Sequence, residues 1–427
     1  MIAIDNYRLA NKASILAKLI NEVSIQFIEY DGNNPENYIA TILGTLMSKK
    51  TIIIGENENT NSLSKYVVND ATIEDFKLQH NVSLISIVKE IMSNCEVSNV
   101  DALVVSTSGS VSSPKSVIFT YKSVLYRVNM IIKEYKLNDK TKELVILPMT
   151  SAAIIFDQIL PTLLVNGRLF FSQNLNLLEI KQELYKEYDY TGITPTVLNL
   201  LEKVNIVWDK IKVKNIALGG EPINFEKITN VSKKVSGTTF YPMYGLTETA
   251  GAIVGSPYDT LRSYDSVGLS YEQIELKIVN NILFIRDIGL GRGYLSNGEI
   301  LKFTDRDGWL NTGDIAYKDK NGYLFILGRK KSVIIIGGVN VYPYQIRNTI
   351  NMYPGVIDSI VYGKKETADS FREYIVADIY VSDNKIDFKK LKKFVSSKLE
   401  KIKVPKEWNL IDNIPIYGLG KAKKNEQ

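Results

Sequence analysis

Short apolar runs rich in β-branched residues alternate with longer segments of helical periodicity over most of the chain. The runs predicted to be strands are residues 51–54, 103–106, 144–147 and 168–172. The segments predicted to be helices are residues 37–47, 122–135 and 177–188. Strands and helices that follow one another in this way favour an α/β fold with mostly parallel sheets flanked by helices.

The pattern changes twice towards the C-terminus. Near residues 265–293 the predicted strands become short and the turns rich in glycine, which indicates a small β subdomain. A new unit begins after residues 328–331, with strands predicted at 333–336, 359–363 and 374–380. An amphipathic helix is predicted between Phe388 and Leu399. We therefore predict a large N-terminal domain over residues 1–331 and a small α+β C-terminal domain over residues 332–427.

Composition places the chain among ordinary globular proteins, because 45% of its 427 residues are hydrophobic and 23% are charged. Cys95 is the one cysteine and cannot form an internal disulfide, and the N-terminal residues lack the apolar core of a secretory signal. The most apolar segment, residues 152–165, is interrupted by Asp157, Gln158 and Pro161 and predicts no membrane span. We expect a cytoplasmic protein.

Histidine content limits the chemistry further, since His80 is the one histidine. A histidine-rich metal site, a zinc site of cysteine and histidine and a Ser-His-Asp triad are therefore nearly excluded. His80 lies in a polar stretch, where it is either a loop residue or a lone base. Catalysis must then use lysine, carboxylates, hydroxyls, backbone amides or a bound metal ion.

The charge is distributed unevenly. The formal net charge of +5 is too small to predict a nucleic-acid partner. All of the excess positive charge lies in residues 333–427, which contain 16 basic and 11 acidic residues. Many of these lysines would lie on the outer face of the helix near residues 388–399. That face is either merely solvated or docks a polyanion, such as the phosphates of coenzyme A or an acidic carrier protein.

The first candidate for chemistry is the segment at residues 104–115, where a predicted strand leads into a loop rich in hydroxyls and small residues. Small residues let backbone N–H groups close around phosphate oxygens, and Lys115 at the end of the loop adds a positive charge. The glycine spacing differs from that of the GxxxxGK[ST] phosphate loop. A serine-rich surface loop without a ligand is the alternative interpretation.

Two further fragments resemble strand ends that open into glycine-containing loops, where open α/β sheets bind their ligands. The first contains Gly219, Gly220 and Glu221. The second is Tyr244-Gly245-Leu246-Thr247-Glu248, which offers an aromatic face for a base, a hydroxyl for a phosphate and a carboxylate for Mg²⁺. Each fragment alone is a weak signal.

The last fragments lie in the final quarter of the chain. Asp314 follows a glycine turn and can accept two hydrogen bonds from a ribose diol, although an ordinary turn aspartate would look the same. Residues 327–343 combine Gly-Arg-Lys-Lys with Gly-Gly-Val-Asn-Val-Tyr-Pro. Lys421 lies near the end of the chain between flexible residues, from where it can reach into a cleft.

With these motifs in this order, the chain resembles the adenylate-forming enzymes, which include acyl- and aryl-CoA synthetases, peptide-synthetase adenylation domains and firefly luciferase. The family's Ser/Thr/Gly loop ending in Pro-Lys matches residues 107–115, and its Tyr-Gly-x-Thr-Glu motif matches 244–248. Its remaining motifs match residues 312–314, 328–343 and 420–421, in that order. The resemblance extends over residues 104–421, nearly the whole chain.

The resemblance implies a role for each matched residue. Those implied to bind the nucleotide are Thr107, Ser108, Gly109, Ser110, Lys115, Gly220, Glu221, Tyr244, Gly245, Asp314 and Arg329. Those implied to be catalytic are Lys421, Thr247 and Glu248, with Glu248 also binding Mg²⁺. The small C-terminal domain would be mobile and rotate about Ser332, so that Gly337 and Gly338 line a tunnel for a pantetheine thiol.

The acid pocket is expected at residues 148–167. Amino-acid-activating relatives have an aspartate there, but this sequence has Ile154, which disfavours an α-amino acid. Ser151 replaces a histidine common in acyl-CoA synthetases, and Gly219 would also border the pocket. Asp157 lies three residues beyond Ile154, on nearly the same helical face. It either meets a displaced amino group of the substrate or is a surface or helix-end aspartate.

The sequence departs from the family's pattern at four kinds of position. The phosphate loop has Val111-Ser112 in place of Thr-Gly and Ser116 in place of glycine, which predicts a stiffer loop. Ser332 stands at the hinge, and Gln345 replaces a glutamate. The segment before the phosphate loop also looks shorter than in most relatives. These changes are compatible with activity.

The resemblance predicts an ATP- and Mg²⁺-dependent acid–thiol ligase. It would convert a small carboxylic acid to acyl-AMP, release pyrophosphate and transfer the acyl group to the thiol of CoA or of a phosphopantetheine on an acyl or peptidyl carrier protein. A stand-alone adenylation enzyme that loads a carrier protein or forms an amide is one alternative. A nucleotide-binding relative without catalytic activity is another.

Overall fold

The computed structural model shows how the predicted elements assemble. It describes residues 1–55, 58–61, 63–74, 82–95, 99–106, 115–172, 176–259, 265–296, 298–367, 372–381, 386–411, 416–417 and 421–422. Side chains are described for these residues except 58, 59, 74, 94, 95, 203, 416, 417, 421 and 422. The phosphate-loop residues Thr107, Ser108, Gly109 and Ser110 and the lone His80 lie outside these ranges.

Twelve α-helices occur in the described part of the chain. They are α1 (Asn6–Glu22), α2 (Pro35–Met47), α3 (Glu58–Asn61), α4 (Asp70–Glu74), α5 (Leu84–Cys95), α6 (Tyr121–Tyr135), α7 (Leu160–Leu164), α8 (Leu177–Leu184), α9 (Pro195–Leu201), α10 (Phe225–Ser232), α11 (Pro343–Asn351) and α12 (Phe388–Lys398). A π-helical segment, Ile154–Ile159, runs directly into α7, and a short 3₁₀ turn at Thr247–Thr249 follows one of the central strands.

The first thirteen strands belong to the two large sheets. They are β1 (Ile2–Ala3), β2 (Phe27–Asp31), β3 (Thr51–Ile54), β4 (Lys65–Asn69), β5 (Asp101–Ser106), β6 (Ser116–Thr120), β7 (Lys142–Val145), β8 (Arg168–Phe171), β9 (Tyr190–Ile193), β10 (Asn215–Leu218), β11 (Thr239–Leu246), β12 (Gly251–Gly255) and β13 (Leu269–Ser270).

Of the remaining strands, β16 and β17 also belong to a large sheet and the others form smaller sheets. They are β14 (Glu275–Val279), β15 (Ile282–Arg286), β16 (Gly293–Ser296), β17 (Glu299–Leu301), β18 (Leu310–Lys318), β19 (Leu324–Arg329), β20 (Ile334–Ile336), β21 (Val339–Val341), β22 (Val356–Lys365), β23 (Glu373–Val381), β24 (Glu407–Leu410), β25 (Ile416–Tyr417) and β26 (Lys421–Ala422).

Two large mixed sheets form the body of the molecule. One has eight strands in the order β1-β8-β7-β9-β10-β11-β12-β13, and its five central strands are parallel. The other has seven strands in the order β17-β16-β6-β5-β3-β2-β4, with β4, β2, β3 and β5 parallel. The predicted α/β fold is confirmed, and antiparallel strands extend the parallel core of each sheet at its edges.

Helix starts are encoded by capping side chains. Asn34 accepts hydrogen bonds from two backbone N–H groups at the start of α2, and Pro35 occupies the first helical position. At the start of α9, Thr194 accepts from the N–H of Val197 and Pro195 occupies the first helical position. These caps satisfy donors that would otherwise lack a partner, so the helices begin where the sequence places the Asn-Pro and Thr-Pro pairs.

A four-stranded antiparallel sheet, β14-β15-β18-β19, forms the predicted small β subdomain. Beyond it, β22, β23 and β24 form a separate three-stranded sheet, next to the β20–β21 hairpin. Residues of this C-terminal part, from Ile334 to Val395, share their own hydrophobic cluster, distinct from those beneath the large sheets. No helix in the described part of the chain is long and apolar enough to cross a membrane.

Candidate active site

Segments at the carboxyl ends of β10 and β11 in the eight-stranded sheet contain seven of the described candidate residues. Gly219 and Gly220 follow β10, and Tyr244 lies near the end of β11. Thr247 and Glu248 stand in the 3₁₀ turn that connects β11 to β12. Because β10 and β11 are parallel neighbours, these loops meet at one edge of the sheet, where open α/β sheets bind their ligands.

Tyr244, Asp314 and Arg329 form one hydrogen-bonded group. The phenolic hydroxyl of Tyr244 donates to Oδ2 of Asp314 at 2.5 Å, and Nε of Arg329 lies 2.9 Å from Oδ1 of the same carboxylate. Burial raises the pKa of Asp314, although the charge of Arg329 and the bond from Tyr244 oppose that shift. The group offers a carboxylate and a guanidinium at the edge of the sheet, suited to a ribose diol.

The backbone of the Thr-Gly-Asp motif holds Asp314 in this position. Oγ1 of Thr312 donates to the carbonyl of Leu283 and accepts from the N–H of Asp314 at 3.0 Å. Gly313 has a φ of +69°, a conformation that side chains disfavour. The motif therefore forms a fixed bulge within β18, opposite Leu283 of β15.

Glu248 and Lys115 are brought together by Tyr294, a residue that sequence reasoning missed. The hydroxyl of Tyr294 donates to Oε1 of Glu248 at 2.6 Å. Nζ of Lys115 lies 4.2 Å from the centre of the Tyr294 ring, within the range of a cation–π contact. Tyr294 is on β16, which pairs with β6 directly after Lys115, so only the sheet pairing reveals it.

The side chain of Glu221 hydrogen-bonds to another residue of the protein, whereas the resemblance implies that Glu221 contacts adenine. Oε2 of Glu221 accepts from both the N–H and the hydroxyl of Thr196, at 3.0 and 2.6 Å, at the start of α9. Burial raises the pKa of this carboxyl. Gly220, with a φ of +79°, is exposed beside it. If residues 220–221 border adenine, the backbone rather than this carboxylate contributes the contact.

The expected acid-pocket residues lie at the start and in the middle of the π-helical segment. Ser151 is half-buried and begins the helical region, while Ile154 is buried in the core between the two large sheets. Asp157 is also buried, and both its carboxylate oxygens lie 3.1 Å from the N–H of Ala252. The interpretation of Asp157 as a surface or helix-end residue is therefore wrong.

Gly251 explains the position of Asp157. Its φ is +85°, and a Cβ built on it would lie 2.3 Å from the Asp157 carboxylate. The carboxylate thus binds the start of β12 at a point where only glycine fits. Burial raises the pKa of Asp157 to about 7. Its distance from Ile154 along the chain predicted a shared α-helical face, but this segment is π-helical and has a different periodicity.

One face of the central strands is partly accessible in the middle of the sheet. Gly192, Ala217, Tyr241 and Met243 alternate with fully buried residues on β9, β10 and β11, and all four are half-buried. Gly192, Ala217 and Tyr241 stand opposite one another in the ladder. This row of partly accessible residues adjoins Gln158 of the π-helical segment at Gly192, and Gly219 follows it after the end of β10. We refer to the row as the cleft.

Tyrosine rings border the cleft. Tyr135 stacks on Tyr190 with 5.5 Å between ring centres and meets Tyr241 edge-on at 6.2 Å. The Tyr135 hydroxyl also lies 3.2 Å from that of Tyr271 and from the sulfur of Met243. These residues come from four separate segments, so no sequence motif could identify them as a group.

The candidate residues of the C-terminal part lie in a 3₁₀ turn, at the tip of a hairpin and on a short strand. Ser332 is half-buried in a 3₁₀ turn, and Gly337 and Gly338 form the exposed tip between β20 and β21, both with positive φ. Lys421 lies on β26, paired with β25, and its side chain is outside the described part of the structure. On α11, Asn348 donates to the carbonyl of Ile223 at 3.4 Å, so this helix contacts the loop after β10.

The described residues include no group of three or more His, Cys, Asp or Glu side chains arranged to hold a metal ion. Among the candidate residues, Glu248 is the carboxylate that the resemblance implies for Mg²⁺. Thr247 is half-buried in the same turn.

Comparison with known proteins identifies the family that this chain matches. The family model described as AMP-binding enzyme matches residues 21–295, well over half of the chain. Among curated proteins, the 2-succinylbenzoate–CoA ligase of Listeria monocytogenes is 27% identical over 328 residues, which cover 76% of this chain and 69% of that protein. The Staphylococcus aureus MRSA252 enzyme of the same name is 31% identical, over 56% of this chain and 48% of its own length.

Solved structures share the fold at lower identity. The o-succinylbenzoate CoA synthetase of Bacillus subtilis, in complex with its acyl-adenylate intermediate, matches with a TM-score of 0.78 and 17% identity over 98% of this chain and 91% of its own. ATP-bound MatB from Rhodopseudomonas palustris matches with a TM-score of 0.76 and 18% identity over the same shares. The chain belongs to the AMP-binding enzyme family and is an ATP-dependent acid–thiol ligase that acts through an acyl-AMP.

Proposed function

We propose that this enzyme joins an aryl carboxylic acid to coenzyme A. In the first step a carboxylate oxygen attacks the α-phosphorus of ATP, and the bond to pyrophosphate breaks. In the second step the thiol sulfur of CoA attacks the acyl carbon, loses its proton and displaces AMP. The observation that carries the proposal is the Tyr244–Asp314–Arg329 group, held at the sheet edge next to the tyrosine-lined cleft.

The nucleotide would lie across this edge. Asp314 would accept the ribose hydroxyls, with Arg329 beside it, and Tyr244 and Gly245 would border the base together with the backbone at Gly220. The triphosphate would extend towards Lys115 and the loop residues Thr107, Ser108, Gly109 and Ser110. Lys115 is exposed next to Tyr294, so its charge is accessible to phosphate oxygens.

Mg²⁺ fits the carboxylate of Glu248. Magnesium is commonly bound by one or two protein carboxylates together with substrate phosphates. Glu248 is half-buried, and its Oε1 is fixed by the hydroxyl of Tyr294, which orients the carboxylate. The ion would neutralise charge on the phosphates. Thr247 would donate its hydroxyl to a phosphate oxygen.

The aromatic border of the cleft supports an aryl substrate. Tyr190 and Tyr241 are half-buried and provide ring surfaces against which a substrate ring can stack or pack edge-on, while the buried Tyr135 packs against both. The cleft ends at Gly219, near the proposed position of the α-phosphate. The curated relatives carry the name of a ligase for 2-succinylbenzoate, an aromatic acid, which makes that compound the first to be tested.

The C-terminal part would complete each half-reaction. We propose a boundary between residues 1–331 and 332–427 and a rotation about Ser332. One orientation would place Lys421 between the substrate carboxylate and the α-phosphate, where its charge stabilises the departing pyrophosphate. The other would bring Gly337 and Gly338 to the pantetheine. Their lack of side chains and their exposure suit close passage of a thin chain.

A carrier protein as acyl acceptor and amide formation are the alternative second steps. The lysines of α12 are exposed. Exposure is expected both of a merely solvated face and of a docking surface for a polyanion, so it does not discriminate between the two. The cytoplasmic location stays a prediction from the lone cysteine.

The decisive assay measures pyrophosphate release over a panel of aryl, fatty, β-amino and α-amino acids, each with and without CoA. We expect release with aryl acids and formation of the aryl-CoA. A preference for fatty acids would contradict the aryl assignment, and an acyl-AMP that reacts with amines or carrier protein but not with CoA would contradict the acceptor.

A further inference from the structure

The far end of the cleft contains a buried polar group that the proposed reaction does not use. Gln158, on the π-helical segment, is 4% exposed. Its Nε2 donates to Oε1 of Glu143 at 2.9 Å and to the carbonyl of Leu144 at 3.4 Å. Two acceptors therefore fix the orientation of the amide, because the opposite orientation would place its oxygen against both of them.

This orientation leaves the amide oxygen free. Oε1 of Gln158 is buried and has no hydrogen-bond partner among the described residues. It faces Gly192, whose built Cβ would lie 3.4 Å away. Gly192 is itself half-buried, so the oxygen lies directly behind a partly accessible residue of the cleft. An unpaired buried carbonyl costs free energy that a donor from the ligand would recover.

The charges nearby determine which ligand group is compatible. Glu143 is 3% exposed and accepts from Thr162 as well as from Gln158. Asp157 contributes a second carboxyl group on the same segment. The cation that acts on Asp157 is Arg127, which is fully buried in an ion pair with Asp287. A carboxylate at this end of the cleft would thus meet acceptors and acidic groups.

We propose that Gln158 selects aryl acids that carry a hydrogen-bond donor, a hydroxyl or amino group, at the ring position remote from the reacting carboxylate. The inference rests on the proposed function and names the substrate class within it. It also predicts that an acid whose second polar group is a carboxylate, such as 2-succinylbenzoate, is disfavoured. Discrimination of this kind is large when a site has a buried polar group that the wrong substrate leaves unpaired.

The test compares matched acids. Benzoate with 4-hydroxybenzoate, cinnamate with 4-hydroxycinnamate, and 2-succinylbenzoate are assayed by pyrophosphate release and CoA ester formation. We expect kcat/KM for a hydroxylated acid to exceed that of its unsubstituted partner by about tenfold or more in at least one pair. Preference for the unsubstituted acids or for 2-succinylbenzoate would overturn the inference while leaving the ligase function intact. Silence with every acid would overturn both.

Two variants identify the residue responsible. Gln158→Met removes the acceptor at similar volume and should abolish the preference by slowing the hydroxylated acid alone. Gly192→Ala places a methyl group at an ordinary contact distance from the Gln158 oxygen and should obstruct it without unfolding the protein. Because both residues belong to the proposed acid site, thermal midpoints and ATP affinity of the variants control for folding. An unchanged preference in both variants would overturn the role of Gln158.

Binding without turnover provides a second measurement. Non-hydrolysable benzoyl- and 4-hydroxybenzoyl-sulfamoyl adenosine, titrated by calorimetry, should differ about tenfold in affinity for the wild type and not for Gln158→Met. Equal affinity of the wild type for the two compounds would contradict the inference for the benzoate pair.

Discussion

Tyr244 donates a 2.5 Å hydrogen bond to the carboxylate of Asp314 across 70 residues of sequence. Tyr244 ends a strand of the eight-stranded sheet, and Asp314 lies in the four-stranded antiparallel sheet. The bond therefore connects two sheets at the point where we place the nucleotide. It joins two motifs that are each weak as sequence signals into one hydrogen-bonded group.

Removing this bond should weaken ATP use. In Tyr244→Phe the Asp314 carboxylate loses a donor, and a hydrogen bond to a charged group contributes about 1.5–3 kcal/mol. We expect KM for ATP to rise about tenfold or more, with a smaller change in kcat. Tyr188→Phe is the matched control, because Tyr188 makes a similar bond to buried Glu183 away from the site. Equal effects of the two variants on KM would contradict the assignment.

Lys421→Ala should separate the half-reactions. Because Lys421 is proposed to stabilise charge only while pyrophosphate leaves, its loss should lower the rate of adenylation by a factor of about 100 or more. Thioester formation from supplied acyl-AMP should change little. Lys398→Ala, a substitution on the exposed face of α12, should affect neither step. Equal loss in both half-reactions would argue against this role.

Tyr294→Phe tests the orientation of Glu248. Without the hydroxyl, Oε1 of Glu248 is no longer fixed, and we expect the Mg²⁺ concentration for half-maximal adenylation to rise several-fold. Lys115 keeps its ring contact in this variant, so the effect reports the hydroxyl. Tyr317→Phe, at an exposed tyrosine stacked on Phe325, serves as control. An unchanged Mg²⁺ requirement would remove Tyr294 from the site.

Glu143 should make stability depend on pH. Burial raises its pKa from 4.5 to about 7, so between these values the folded protein binds the proton more tightly than the unfolded chain. Stability should therefore fall as pH rises from about 4.5 to 7 and then level off. Glu143→Gln should flatten that dependence and raise stability near pH 8 by up to about 3 kcal/mol, at about 1.4 kcal/mol per pKa unit. Urea midpoints at pH 5 and 8 measure it.

An exposed carboxylate provides the matched control for Glu143. Glu187→Gln, at an exposed position, should keep the pH dependence of the wild type. If Glu143→Gln shows the same fall in urea midpoint between pH 5 and 8 as the wild type, Glu143 does not titrate in this range.

The ion pair of Arg127 with Asp287 should be sensitive to loss of either partner. Both side chains are fully buried, and breaking such a pair costs about 3–5 kcal/mol because it leaves one charge uncompensated. Arg127→Met should lower the thermal midpoint substantially. The double variant Arg127→Met/Asp287→Leu should recover most of the loss. A double variant as unstable as the single one would mean that packing, rather than charge, dominates.

Local sequence was sufficient to predict many elements and their order. The strand at residues 51–54 was predicted with the bounds that β3 has, and helices α2, α6 and α12 agree with their apolar periodicity to within two residues at each end. In α8 the helix ends at Leu184, earlier than predicted, and β7 begins at Lys142, two residues before its predicted start. Such boundaries depend on caps and strand pairing more than on hydrophobicity.

Motif order identified the family, because each motif is a short run of neighbouring residues whose backbone and side chains act together. The phosphate loop, the Thr-Gly-Asp turn and the Gly-Gly hairpin are of this kind. Asp314 could be proposed from its own neighbours in the sequence, whereas its contact with Tyr244 required the two sheets to be assembled.

The composition of the substrate cleft depends on tertiary structure. Gln158, Gly192, Tyr135 and Tyr241 come from a π-helical segment, two strands and a helix, and no local pattern relates them. Asp157 shows the same limit, since its partner Ala252 lies 95 residues away. Sequence periodicity reports which residues are buried in an element. Which buried residues meet, and which atom among them stays unpaired, follows only from strand order, register and helix packing.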